Sequence, residues 1–173
     1  MKFYSGFSLK NESHFFDEFI KKSDYSVCGF SYGAIKAFLH VKAQLASGKR
    51  VDTLQLFSPA FFQTKTKEFK RLQIMAYRRN EEVYLRQFIT SCFSPYATKD
   101  VEHSVTILDE LDELLNYEWS LPQLQEMVDK GVKIEVYLGD EDKIIDVEGA
   151  RAFFLQVATV TYIKNANHFL QTN

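Results

Sequence analysis

Val27-Cys28-Gly29-Phe30-Ser31-Tyr32-Gly33-Ala34 sets a serine between two glycines, with an apolar β-forming run before it and a helix-forming run after it. Tyr25 to Cys28 reads as a buried strand and Gly29 to Gly33 as a sharp turn. Ala34 to Ser47 reads as a helix with Ile35, Phe38, Leu39 and Leu45 inward, closed by Gly48. Gly-x-Ser-x-Gly at such a junction has a physical purpose. The serine stands on strained backbone, and its neighbours must be small so that adjoining chain can pass. The helix that follows points its N-terminus at the turn, which favours developing negative charge. A phosphate-loop reading of residues 29 to 36 fails, because no Gly-Lys-Ser/Thr closes it.

Working outward, Lys2 to Tyr4 reads as a short strand and Ser5-Gly6-Phe7-Ser8 as a loop. Asn11 can cap a helix with Phe15, Phe16, Phe19 and Ile20 on one face. Val51 to Phe57 is a strand stopped by Ser58-Pro59. Residues 60 to 130 look helical throughout, most clearly from Val105 to Tyr117. There Ile107, Leu108, Leu111, Leu114 and Leu115 make an apolar stripe, and Asp109, Glu110, Asp112 and Glu113 face water. Lys133 to Leu138 is a strand, Val147 to Val157 a helix and Val160 to Ile163 a last strand. Strands alternating with helices predict an α/β fold with a five-stranded parallel sheet. Residues 1 to 173 form one domain in this reading, with 60 to 130 as a helical lid insertion above the strand ends.

Composition narrows the function classes. A net charge of −2 carries no nucleic-acid signature. Two cysteines, Cys28 and Cys92, make no disulfide framework, and no apolar run reaches the length of a membrane span. The cytoplasm is therefore the expected compartment. Sixteen phenylalanines are a surplus that core packing accounts for first and an apolar substrate slot second.

Serine needs a base, and the base needs an orienting acid. Of four histidines, His14 and His103 sit near expected helix starts and His40 lies mid-helix. His168 follows the last strand, at the sheet edge that carries Ser31, and is the candidate base. Gly139-Asp140-Glu141-Asp142 follows the preceding strand. The spacing usual among hydrolases, three residues past the strand-ending glycine, favours Asp142, with Asp140 second and Asp146 third. An oxyanion hole needs two backbone N–H groups, for which Tyr32, after the nucleophile, and Phe7, after Gly6, are the candidates. This chemistry needs no metal and no cofactor.

These motifs, with Ser58-Pro59-Ala60, Gly139 to Asp146 and Asn167-His168-Phe169, resemble small α/β-hydrolases. The opening Lys2 to Ser8 and the short length are similar to BioV-type pimeloyl-acyl-carrier-protein methyl ester esterases of biotin synthesis. The resemblance implies hydrolysis of the methyl ester of pimeloyl-acyl-carrier protein by Ser31, His168 and Asp142. It also implies an acyl carrier protein as partner. Lys65, Lys67, Lys70, Arg71, Arg78 and Arg79 crowd one stretch of the lid, opposed by Glu68 alone. Acyl carrier proteins are acidic, so Lys70, Arg71, Arg78 and Arg79 are candidates to bind one, with Arg86 a looser addition.

The chain also departs from that pattern. Ser5-Gly6 stands where most hydrolases carry His-Gly. The first strands and the closing helix of the full fold have no counterpart. One sheet face would then lack its usual helices, and lid segments or a second subunit of a homodimer are expected over it. Two other readings stay open: an esterase or thioesterase for another acyl group, and a hydrolase fold serving only as a binding module.

Overall fold

The computed structural model describes residues 1 to 173. The strands are β1 (Lys2–Tyr4), β2 (Leu9–Lys10), β3 (Ser26–Phe30), β4 (Thr53–Phe57), β5 (Glu102–His103), β6 (Lys133–Gly139) and β7 (Thr159–Ile163). The helices are α1 (Tyr32–Ala46), α2 (Lys67–Arg79), α3 (Glu81–Phe93), α4 (Leu108–Asn116), α5 (Leu121–Asp129) and α6 (Val147–Phe154), with a 3-10 turn at Glu12–Phe16. Five parallel strands form the main sheet in the order β1-β3-β4-β6-β7. All five residues of β3 and all five of β4 are buried, as central parallel strands require.

Each face of the sheet has its own core. Val27, Leu54, Leu56 and Val136 point to the face covered by Ile35, Phe38 and Val41 of α1, Leu124 and Met127 of α5, and Ala150 and Phe154 of α6. Right-handed crossovers between neighbouring strands put these helices on one side. Cys28, Phe30 and Phe57 point the other way, onto Phe16, Phe169 and the end of α3 at Ile89, Cys92 and Phe93. Helix α3, within the 60 to 130 stretch, thus supplies part of the cover over the second face. Toward β6 that face turns polar, with Gln55 and Glu135 buried beneath Lys21.

Several expectations are corrected. Asn11 caps no α-helix: its φ is 62° and its side chain makes no cap hydrogen bond. Instead Phe15 meets Phe93 edge-on and Phe169 at a tilt, while Phe16, the next residue, packs on Phe30 and Phe57. Adjacent residues that must both face the core suit a tight turn better than a one-sided helix. Leu39 is 43% exposed rather than inward. Helix α4 starts at Leu108, which leaves Val105 and Ile107 exposed. Residues 60 to 130 are not helical throughout, since β5 pairs antiparallel with β2 in a second small sheet. Helix boundaries elsewhere follow local chemistry. Thr66 caps α2, Asn80 caps α3, and Gly48 at φ 69° follows α1. No helix is long and apolar enough to cross a membrane.

Candidate active site

Ser31 occupies the link between β3 and α1 at φ 53°, ψ −117°. A non-glycine residue with positive φ is strained, and the surroundings hold it there. Its N–H donates to the Phe57 carbonyl at 2.9 Å, and its carbonyl accepts from Ala34 at 3.0 Å and Ala60 at 3.1 Å. Both flanking glycines are sterically required. A Cβ on Gly29 would overlap the Gly33 carbonyl, and one on Gly33 would overlap the Tyr4 carbonyl.

The structure brings Ser31, His168 and Asp142 together. His168 Nδ1–H donates to Asp142 Oδ2 at 2.6 Å, and Nε2 lies 3.0 Å from Ser31 Oγ, free to accept its proton. Asp142 selects this tautomer, because a carboxylate accepts only. Asp142 is itself held by the Ile144 amide, which donates to Oδ1 at 2.7 Å. His168 is 0% exposed, Asp142 7% and Ser31 5%, so the relay lies out of bulk water. Asp140 is not part of it. Asp146 instead caps α6 through the Gly149 amide and accepts from Thr64 Oγ1. The Thr64 hydroxyl holds the Asp146 carboxyl below its ordinary pKa. His14 packs beside Phe15, His40 beside Tyr4, and His103 lies exposed in β5; none approaches Ser31.

Asn167, read in the sequence only as part of the Asn-His-Phe motif, braces the loop that carries the candidate base. Its Nδ2 donates to the Phe93 carbonyl at 2.9 Å, while Oδ1 accepts from the Phe169 and Gln171 amides at 3.0 Å. Gly139 lets this loop close, since a Cβ there would overlap the Ala166 carbonyl. An Asn before a candidate His was visible in the sequence, but its partners were not.

Phe7 and Tyr32, the two candidate oxyanion donors, are both buried, and Tyr32 directly follows Ser31 at the start of α1. Neither amide donates to a turn, loop or side-chain acceptor, so both are available. The Tyr32 phenol reaches across to Glu113 of α4, and Lys36 pairs with Glu110 of the same helix at 3.3 Å. Burial, then the Glu113 hydrogen bond, push the Tyr32 phenol well above its ordinary pKa. Helix α4 is therefore tied to α1, the helix that begins at the candidate donor Tyr32.

An apolar cavity of about 350 Å³ opens between the lid helices α2, α3 and α4. Phe7, Phe62, Phe88, Leu111, Leu115 and Ile144 are among its walls. Phe7, a candidate oxyanion donor, and Ile144, two residues past Asp142, line it, whereas Ser31, Asp142 and His168 do not. Some of the phenylalanine surplus thus lines a slot, and the rest packs the cores.

On the lid surface, Arg71, Arg78 and Arg79 are exposed and Lys70 is half-buried; none forms an ion pair. They are not one uniform patch. Lys67, Lys70 and Arg71 line a cleft with Asp112 and Glu118, whereas Arg78 and Arg79 stand at the far end of α2. No group of three His, Cys, Asp or Glu side chains assembles that could hold a metal ion.

The chain has a minimal α/β-hydrolase fold. It superposes on an esterase from Exiguobacterium antarcticum with a TM-score of 0.59 at 16% identity, covering 83% of this chain and 59% of that one. Naproxen esterase (carboxylesterase NP) from Bacillus subtilis matches with a TM-score of 0.51 at 19% identity, over 91% of this chain and 57% of that one. The chain thus spans less than two thirds of these two structures. BioG from Haemophilus influenzae is nearer in size, with a TM-score of 0.58 at 10% identity over 97% of this chain and 87% of that one. No protein-family model and no curated protein matches the sequence.

Proposed function

We propose that the chain is a serine carboxylesterase whose substrate is the methyl ester of pimeloyl-acyl-carrier protein. One observation carries the chemistry: the unbroken relay from Asp142 through His168 to a strained Ser31, at 2.6 and 3.0 Å. In this mechanism His168 Nε2 takes the Ser31 proton as Oγ attacks the ester carbonyl. Asp142 holds the ring in register and stabilises the imidazolium. The Phe7 and Tyr32 amides receive the charge that forms on the carbonyl oxygen. His168 then protonates the leaving methoxide, and methanol departs. Water, deprotonated by His168, hydrolyses the acyl-Ser31 ester and frees the acid. The apolar slot beneath the lid suits a short methylene chain.

The choice of substrate rests on the resemblance at Lys2 to Ser8 and on the unpaired cations of α2. An acidic carrier protein would dock on Arg78 and Arg79 and pass its acyl arm under α2 into the slot. The test is demethylation of pimeloyl-acyl-carrier-protein methyl ester by the purified chain beside Ser31→Ala. Turnover by the wild type alone is expected. Cleavage of a simple nitrophenyl ester without demethylation would keep the serine chemistry and discard this substrate. Silence on both would favour a binding module.

A further inference from the structure

A buried carboxylate lies behind the oxyanion loop, and the triad does not use it. Glu12, at the start of the 3-10 turn, is 1% exposed. Its Oε1 accepts the Gly6 N–H at 2.7 Å, and its Oε2 is buried without a partner. Burying a carboxyl with half its acceptor capacity unused is costly, so its position needs a compensating reason.

The reason is in the next peptide. The Gly6 carbonyl and the Phe7 N–H belong to one planar unit, so turning one turns the other. Leu9 N–H donates to the Gly6 carbonyl at 3.2 Å and holds that end of the unit. Glu12 holds the peptide before it, through the Gly6 N–H. No other protein group takes that N–H, and in its buried setting an unpaired amide would drive the loop to rearrange. The loop has strain to release, with Ser8 at φ 61° and Asn11 at φ 62°. Nor can bulk at residue 6 hold it in place, because a Cβ there would press into the Phe30 ring at 2.9 Å.

We infer that Glu12 is a positioning residue for the oxyanion hole: by accepting the Gly6 N–H it keeps the Gly6–Phe7 peptide turned so that the Phe7 amide meets the substrate oxygen. The inference rests on the esterase reading. The acceptor oxygen is what matters, not the charge, and Gln supplies an oxygen at the same reach. Asp does not.

The experiment compares wild type, Ser31→Ala, Glu12→Gln, Glu12→Ala and Glu12→Asp on a nitrophenyl ester. Inhibition by a trifluoromethyl ketone, which adds Ser31 Oγ to give a tetrahedral oxyanion, is measured beside it. Glu12→Ala should lower kcat by at least about tenfold with KM changed by less than about twofold, short of the roughly 100-fold or more that follows loss of a donor outright. The ketone should weaken by the same factor that kcat/KM falls, because both report the oxyanion. Glu12→Gln should stay within about threefold of wild type. Glu12→Asp should behave as Glu12→Ala and carries the test if the alanine variant does not fold. Wild-type kcat in Glu12→Asp or Glu12→Ala would overturn the inference. So would a rise in KM alone, an unchanged ketone affinity, or a Gln variant as impaired as Ala. If the wild type itself shows no Ser31-dependent hydrolysis, the esterase reading falls and takes this inference with it. Hydrolysis indifferent to Glu12 overturns the inference alone.

Discussion

At the scale of single residues, the relay behaves as one device or not at all. His168 has no other buried polar partner than Asp142 and Ser31, so removing either end leaves the rest without a task. Ser31→Ala and His168→Ala should each lower kcat on a nitrophenyl ester by roughly 10⁴-fold or more, and the double variant should fall little further. Steady-state kinetics on the three variants check this, and a double variant far worse than either single would mean that the two act separately. The serine and the histidine were legible in the sequence because their chemistry needs a signature, a small-Ser-small turn and a His past the last strand. The acid was half legible. Three carboxylates stood within reach, and only coordinates show Asp142 on Nδ1 while Asp146 caps a helix. Glu12 was illegible, and Asn167 was legible only as part of a motif and not by its role, since a side chain that binds backbone amides leaves no spacing pattern of its own.

At the scale of elements, the strand-turn-helix units were readable because buried parallel strands are short continuous apolar runs, and amphipathic helices carry a stripe. What escaped depends on partners distant in sequence. The two-residue strands β2 and β5 exist only through each other, and the 3-10 turn at Glu12–Phe16 takes its form from the rings it packs against. Helix α2 was legible as basic but not as two different ends. Lys67, Lys70 and Arg71 share their cleft with Asp112 and Glu118, so their field is partly cancelled. Arg78 and Arg79 are exposed and unpaired at the C-terminal turn, where cations also complement the helix dipole. Under the proposed carrier-protein docking, reversing both to Glu should raise KM for a carrier-protein ester by about tenfold or more, with the gap closing as salt is added. Cleavage of a nitrophenyl ester should be spared. Equal losses on both substrates would mean that these arginines hold the lid fold rather than a partner.

At the scale of the whole molecule, helices on one side leave the opposite sheet face to be covered by other means. Near β1 and β3 the cover is aromatic, built from Phe15, Phe16, Phe93 and Phe169. Near β6 it is an ionic strap. Lys21 and Lys133 both donate to Glu135 Oε1, the latter at 2.8 Å, while Gln55 Nε2 and Tyr137 OH donate to Oε2 at 3.1 and 3.2 Å. Burial alone would push the Glu135 carboxyl up, but Lys133 and Lys21 outweigh it and hold the group below its ordinary value. A carboxyl depressed by folding adds stability that is fully present above the unfolded pKa, about 4.3. That stability is lost as pH falls through the lower folded value. Acidification from pH 7 to 3 should therefore lower Tm in part through Glu135. Glu135→Gln keeps an acceptor and removes the titration, so it should melt a few degrees lower at pH 7 and decline less steeply in acid, each 1 kcal/mol being worth about 2–4 °C at this chain length. Thermal melts across that range decide it. If wild type and Glu135→Gln lose Tm in parallel, the strap is not what acid releases, and the aromatic half of the face carries the stability of the whole.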